Sequence, residues 1–262
     1  MKTRQVSLGI DGLDIAGEAC FPDGERASLP ALCICHGIPS GSPPDPSDGG
    51  YPALAATFCA AGFITLIFNF RGTGASGGNF DIQGWARDLE AAMDYLYSCP
   101  EVDRQRLYLM GFSGGAAVSA CVAARDPRVK GVVLCACPAE FRGLVLEENA
   151  LSSIEHFRRI GIIRDRDFPP SVDGWLQGFR HVAPLRWIDR IAPRPLLLLQ
   201  GAEDDVVDVS QAWLLYHKAR EPKEIAVIEG AGHRLRLDRG AMDRALRWLK
   251  KEARSDGDSV SF

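Results

Sequence analysis

Gly111-Phe112-Ser113-Gly114-Gly115 sets a serine where the apolar run Leu107-Tyr108-Leu109-Met110 meets the small-residue run Ala116-Ala117-Val118-Ser119-Ala120. A serine in a G-x-S-x-G turn from strand to helix has its hydroxyl lifted clear of the sheet and faced by the helix's first N–H groups. Nucleophilic attack on an acyl carbon needs such an arrangement. The flanking glycines fit because side chains would clash in so tight a turn. A hydroxyl also needs a base, and the base needs a group that orients it and holds its charge. Two later segments offer them, Gly201-Ala202-Glu203-Asp204-Asp205-Val206-Val207 and Glu229-Gly230-Ala231-Gly232-His233. Acid before histidine, each after a late strand, is the chain order this chemistry adopts in an α/β sheet.

The pentapeptide carries little weight alone, because 27 of 262 residues are glycine and chance matches are common. Gly74-Ala75-Ser76-Gly77-Gly78 matches too, but it sits in a stretch from Arg71 too glycine-rich for anything but loop. The strand predicted over Ile64–Phe70 ends before Ser76, and no helical run follows Gly78 directly. Ser113 is therefore read as the nucleophile and Ser76 as a loop residue. His233 is read as the base. Of the other four histidines, His36 ends a strand and is expected to hold its loop by a hydrogen bond, while His156, His181 and His217 read as surface or packing residues. For the acid, position three residues after Gly201 favours Asp204, with Glu203 and Asp205 left open. An oxyanion needs donors, and the Gly114 N–H and the Ile38 N–H of His36-Gly37-Ile38 are nominated.

These residues must be brought together by a scaffold, and the chain alternates strand and helix signals almost throughout, which predicts a largely parallel α/β sheet. Val6–Ile10 and Leu13–Phe21, split by Asp11-Gly12, read as an antiparallel hairpin. Strands are predicted at Ala31–Cys35, Ile64–Phe70, Leu107–Met110, Val132–Cys137, Pro195–Gln200 and Glu224–Ile228. Helices are predicted at Tyr51–Ala61, Asp81–Ser98, Gly114–Ala124, Ser210–Ala219 and Met242–Lys251, with a polar, frayed tail from Ser255. Ligands gather at the carboxyl ends of parallel strands, so Ser113, Asp204 and His233 are expected on one edge. The rhythm breaks over about 139–191, where helical pieces (Leu151–Ile160, Trp187–Ile191), the Phe168-Pro169-Pro170 break and the aromatics Phe141, Phe157, Trp175, Phe179 and Trp187 replace a strand. This insertion reads as a small cap over the site within a single domain. Its aromatics could meet an apolar group of a substrate or pack the cap onto the sheet. Arg158, Arg159, Arg164 and Arg166 read as a solvated face rather than a site for an acidic substrate.

Composition sets the outer limits. Apolar residues make up 46% and charged residues 24%, enough for a sizeable core. The net charge of −4 supplies no basic field to hold nucleic acid or an anionic membrane. No signal-peptide pattern follows Met1 and no apolar run reaches the ~20 residues of a bilayer span, so a cytoplasmic location is expected. The eight cysteines fall mostly in apolar or small-residue runs and read as buried hydrophobes rather than a metal site or disulfides. No cofactor is implied, and a homo-oligomer is left open.

Together His36-Gly37-Ile38, Asn69-Phe70-Arg71-Gly72-x-Gly74-x-Ser76, the Ser113 turn, Gly201-x-x-Asp204-x-x-Val207 and Gly232-His233 resemble the α/β-hydrolase superfamily over nearly the whole chain. The resemblance implies an eight-stranded, mostly parallel sheet with Ser113, Asp204 and His233 as a triad. It also makes Arg71-Gly72 a loop-stabilising element, so the Ser76 match is a by-product of another motif. Small serine esterases and peptidase-like hydrolases with a short cap are the nearest likeness. A small-molecule carboxylic ester is the implied substrate; an amidase, peptidase or thioesterase and a non-enzymatic binding protein are the alternatives. Serine at position 113 sets the chain apart from dehalogenase-like and dienelactone-hydrolase-like members. Prolyl-oligopeptidase-like enzymes are set aside because the chain has no room for a propeller.

Overall fold

Eight strands form one sheet in the order β1-β2-β4-β3-β5-β6-β7-β8 in a computed structural model that describes residues 1–24, 28–42, 48–141 and 149–255. β1 (Lys2–Ile10) and β2 (Leu13–Phe21) make the predicted hairpin, and β2 runs antiparallel to β4 (Ile64–Phe68). All further pairings, through β3 (Leu29–Cys35), β5 (Val102–Phe112), β6 (Val129–Cys135), β7 (Leu196–Gly201) and β8 (Lys223–Ile228), are parallel. Beyond Ser255 the predicted tail lies outside the described residues, as do the centre of the loop after β3 and part of the insertion.

The order places the site. After β3 the chain pairs β4 on one side and then crosses to lay β5 on the other. The loops leaving β3 and β5 therefore diverge and leave a crevice at the strands' carboxyl ends, where open α/β sheets bind ligands. Ile38 leaves from β3 and Ser113 from β5. β7 and β8 continue outward and deliver Asp204 and His233 to the same edge.

The sheet is buried on both faces, so its central strands are continuous apolar runs rather than alternating ones. Leu107, Leu109, Leu134 and Leu198 pack on one face with α2 (Ile82–Ser98) and α3 (Gly114–Arg125). Tyr108, Met110, Val133 and Leu197 pack on the other with α1 (Gly50–Ala60) and α7 (Arg239–Ser255). Alanines 116, 117, 120 and 123 are fully buried, which lets α3 lie close against the sheet. All eight cysteines are buried free thiols. Among the described residues, no helix is long and apolar enough to cross a membrane.

Several elements differ from their predicted bounds. β5 begins five residues earlier than expected, because the polar segment Asp103–Arg106 hides a strand whose Val102 registers with Leu29 and whose Arg106 pairs Asp103 at 2.7 Å. β6 stops at Cys135 since Ala136 turns to φ 48°. In the insertion, α4 (Ala150–Arg159) is where a helix was predicted, but Trp187–Ile191 forms only part of a pair of 3-10 turns. α5 (Val172–Val182) went unpredicted because Gly174 and Gly178 lower its helix propensity. Burial of Trp175, Leu176, Phe179 and Val182 overrides that, with a Ser171 cap on the Gly174 N–H at 3.1 Å.

The insertion is fastened to α2 and the Arg71–Phe80 loop. Phe157, Trp175 and Phe179 surround Phe80, and the Trp175 Nε1–H donates to the Phe80 carbonyl at 3.1 Å. Arg164 is exposed but tethered: its guanidinium donates to the carbonyls of Ser76 (2.8 Å), Gly74 (3.1 Å) and Gly72 (3.3 Å). The loop is anchored beneath by Arg71. Its Nε and Nη2 donate to Asp88 Oδ1 at 3.0 and 2.6 Å, and its backbone N–H donates to Asp88 Oδ2 at 2.8 Å. Asp88 is wholly buried and Arg71 nearly so. Removing Asp88 leaves the buried Arg71 with only the partly exposed Asp11 (2.8 Å), so Asp88→Ala is expected to lower unfolding free energy by about 3 kcal/mol. Urea unfolding measures this, and a loss below ~1 kcal/mol contradicts the anchor.

Candidate active site

Ser113 sits at φ 51°, ψ −122°, a conformation that costs a non-glycine residue about 1–3 kcal/mol. Neighbouring bonds hold it there: its N–H donates to the Cys135 carbonyl (2.9 Å), and its carbonyl accepts from the N–H groups of Ala116 (2.9 Å) and Ala117 (3.1 Å). The turn has no space for side chains. A Cβ on Gly111 would come 2.5 Å from Ala116 Cα, and one on Gly115 would strike the His36 carbonyl.

The loops after β7 and β8 are stitched together. Glu203 N–H donates to the Ala231 carbonyl and Ala202 N–H to that of Ile228, each at 2.9 Å. His233 Nδ1–H then donates to Asp204 Oδ2 at 2.9 Å and Oδ1 at 3.0 Å. Of the three adjacent acids, Asp204 alone makes this bond among the described residues; Glu203 and Asp205 are exposed. Burial would raise the Asp204 carboxyl, but the His233 imidazole and the N–H groups of Val207 and Val206 outweigh it and hold the group below the usual carboxylate range. Its Oδ1 accepts those amides at 2.8 and 2.9 Å, and its Oδ2 accepts Gln200 Nε2 at 2.8 Å. Gln200 is a supporting residue that the sequence reading passed over; a lone polar side chain ending the Leu196–Leu199 run was its signal.

With Nδ1 donating to the carboxylate, Nε2 of the neutral ring is the free acceptor. Ser113 and His233 line one cavity of about 880 Å³ with Ile38, Tyr51, Asn69 and Arg236 among its walls. Among the described residues the Ser113 Oγ makes no hydrogen bond, to His233 or otherwise. Such contacts are commonly loose in a free site and tighten around substrate. Gly114 opens α3, so its N–H has no intrahelical acceptor. The Ile38 amide lies beside it, since a Cβ on Gly114 would be 3.5 Å from Ile38 N. Two amides thus flank the position of the serine.

His36 and Ser76 belong to the frame. His36 Nδ1–H donates to the Gly37 carbonyl (2.7 Å) and its Nε2 accepts the Phe70 N–H (3.2 Å), so it ties two loops, not one, and burial keeps it below the ordinary imidazole range. Ser76 is buried, with its hydroxyl on the Asn69 carbonyl and accepting the Ala16 N–H at 2.9 Å. Among the described residues none of the insertion reaches the cavity wall; its aromatics pack on α2.

The model of the prolyl oligopeptidase family matches residues 51–256. That overturns the exclusion based on a missing propeller, because the match lies within the α/β unit itself. An uncharacterized protein of Mycobacterium tuberculosis is 31% identical over 234 residues, covering 85% of this chain and 69% of its own. A protein named as a thiohydrolase from Arthrinium phaeospermum is 33% identical over 134 residues, half of this chain and 41% of its own. The solved α/β hydrolase GrgF from a Penicillium species superposes with a TM-score of 0.75 at 22% identity, covering 97% of this chain and all of that one. The fold is that of the α/β hydrolases.

Proposed function

We propose that this chain, which belongs to the prolyl oligopeptidase family and is a hydrolase of the α/β type, cleaves small carboxylic esters by attack from Ser113. The observation that carries this reading is the Asp204–His233 bond of 2.9 Å opening on the cavity that also holds the strained Ser113. Ser113 Oγ adds to the ester carbonyl while His233 Nε2 takes its proton, and Asp204 stabilises the imidazolium. The oxyanion is held by the Ile38 and Gly114 N–H groups. Collapse expels the alcohol with the proton from His233, and water repeats the sequence to free Ser113 and the acid. The cavity's volume suits a small ligand.

Thioester cleavage by the same groups is the second reading, favoured by the thiohydrolase relative. Initial rates on an acetyl p-nitrophenyl ester, an acetyl thioester and an acetyl p-nitroanilide separate the cases. The highest kcat/KM is expected for the ester. A thioester rate above it supports the second reading, and an anilide rate above both supports amide cleavage instead.

A further inference from the structure

We propose that Asp48 and Arg236 form a clamp beside the cavity that positions His233 against Ser113, an inference that rests on the ester-cleaving reading above. Arg236 lies three residues after His233, in the 3-10 turn Leu235–Leu237. Leu235 N–H donates back to the His233 carbonyl and Leu237 N–H to that of Arg234, each at 2.9 Å, and Leu235 is fully buried. The turn and the backbone of His233 therefore move as one piece.

Both terminal nitrogens of Arg236, which lines the cavity, donate to the two carboxylate oxygens of Asp48, 188 positions away in the chain. Both side chains are mostly enclosed, 17% and 16% exposed. A two-pronged arginine–carboxylate contact fixes direction as well as distance, which a single-point contact does not. Asp48 also accepts the Gly50 N–H at 2.8 Å, so the pair is seated at the start of α1. The Arg236 guanidinium lies over the Tyr51 ring, 5.0 Å from its centroid. That ring meets Phe112, the residue before Ser113, edge-on at 5.7 Å. An unbroken run of contacts thus joins the loop of the base to the turn of the nucleophile.

The clamp supplies a restraint that the Asp204 bond does not. Asp204 is stitched to the same outer strands as His233, so it fixes the tautomer and the ring's heading but not the distance of that loop from β5. Arg236 reaches β5 through Tyr51, whose ring meets Phe112 at the end of that strand. The pair keeps its charge through the neutral range, since Arg236 and the Gly50 amide hold the Asp48 carboxyl at about 2. A displacement near 1 Å between reacting groups costs about 10²-fold in rate.

The test compares Arg236→Gln, Asp48→Asn and Arg236→Lys with the wild type on p-nitrophenyl acetate, alongside thermal unfolding and fluorophosphonate labelling of Ser113. The proposal expects kcat to fall about 10–100-fold in the first two variants with KM within about twofold, while each still unfolds cooperatively. Arg236→Lys should lie between them and the wild type, because it keeps the charge but loses the fork. If Arg236→Gln fails to fold, the kcat of Arg236→Lys decides. Unchanged kcat overturns the clamp, and so does a raised KM at full kcat, which would make Arg236 a substrate contact. A wild type that neither turns over ester nor takes the label overturns the ester-cleaving reading, and the clamp with it. A labelled, active wild type with indifferent variants overturns the clamp alone.

Discussion

Replacing Ser113 by alanine is expected to lower kcat on p-nitrophenyl acetate by about 10⁴–10⁶, equivalent to about 5–8 kcal/mol of barrier. The loss is that large because the proposed mechanism makes the hydroxyl the attacking group, and neither the amides of Ile38 and Gly114 nor His233 can substitute for it. Stability should change by less than about 0.5 kcal/mol. Alanine leaves φ 51° as it was, the backbone bonds to Cys135, Ala116 and Ala117 remain, and the lost oxygen has no hydrogen-bond partner among the described residues. Activity and stability are thereby separated in one variant. Thermal unfolding beside the rate measurement checks both halves. The corresponding change at Ser76 should do the reverse, because that hydroxyl bridges Asn69 and Ala16 outside the cavity wall.

Asp204→Asn is expected to lower kcat by about 10⁴ while leaving the fold in place. The hydrogen bonds around the carboxylate dictate why. At Oδ1 the Val206 and Val207 amides both donate, so the asparagine carbonyl oxygen must sit there. Its NH₂ then replaces Oδ2, within 2.9 Å of His233 Nδ1, and donates to it. That forces the ring's proton onto Nε2, the atom that must accept from Ser113. The same NH₂ opposes Gln200 Nε2, formerly 2.8 Å from Oδ2. Flipping the Gln200 amide relieves this, at the loss of its bond to the Val207 carbonyl. A modest fall in stability should accompany the loss of rate, of about 1–3 kcal/mol. A pH profile of kcat/KM for the variant tests the tautomer directly: recovery of wild-type rate at any pH between 6 and 9 contradicts it.

The site was readable in the sequence to the extent that it is local. Ser113 announces itself by a strand before it and a helix after it, and that context, rather than the pentapeptide, separates it from Ser76. Asp204 and His233 follow at the ends of later strands, where parallel topology must bring them to one edge. Gly114 and Ile38 are nominated by the same logic. What escaped has no local signature. Asp48 and Arg236 meet only because the loops after β3 and β8 converge over the crevice, and nothing near either residue marks a partner 188 positions away. Gln200 looked like the polar end of an apolar strand. α5 was hidden by two glycines, one of which lets it lie close to Gln83 and Ile82 of α2. The insertion's aromatics carried two meanings in the sequence; their ring contacts with Phe80 favour packing. Arg158, Arg159, Arg164 and Arg166 are exposed, as a solvated face requires, and what the sequence does not mark is that the Arg164 guanidinium also caps three loop carbonyls.

Activation of Ser113 by His233 can be read by covalent capture. A fluorophosphonate that phosphonylates activated serines is incubated with the native chain, and the adduct is located by peptide mass spectrometry. A single adduct on Ser113 is expected, formed at near-stoichiometric yield and abolished in His233→Ala. An unlabelled Ser113 in folded protein, or an adduct that forms as fast without His233, would contradict it.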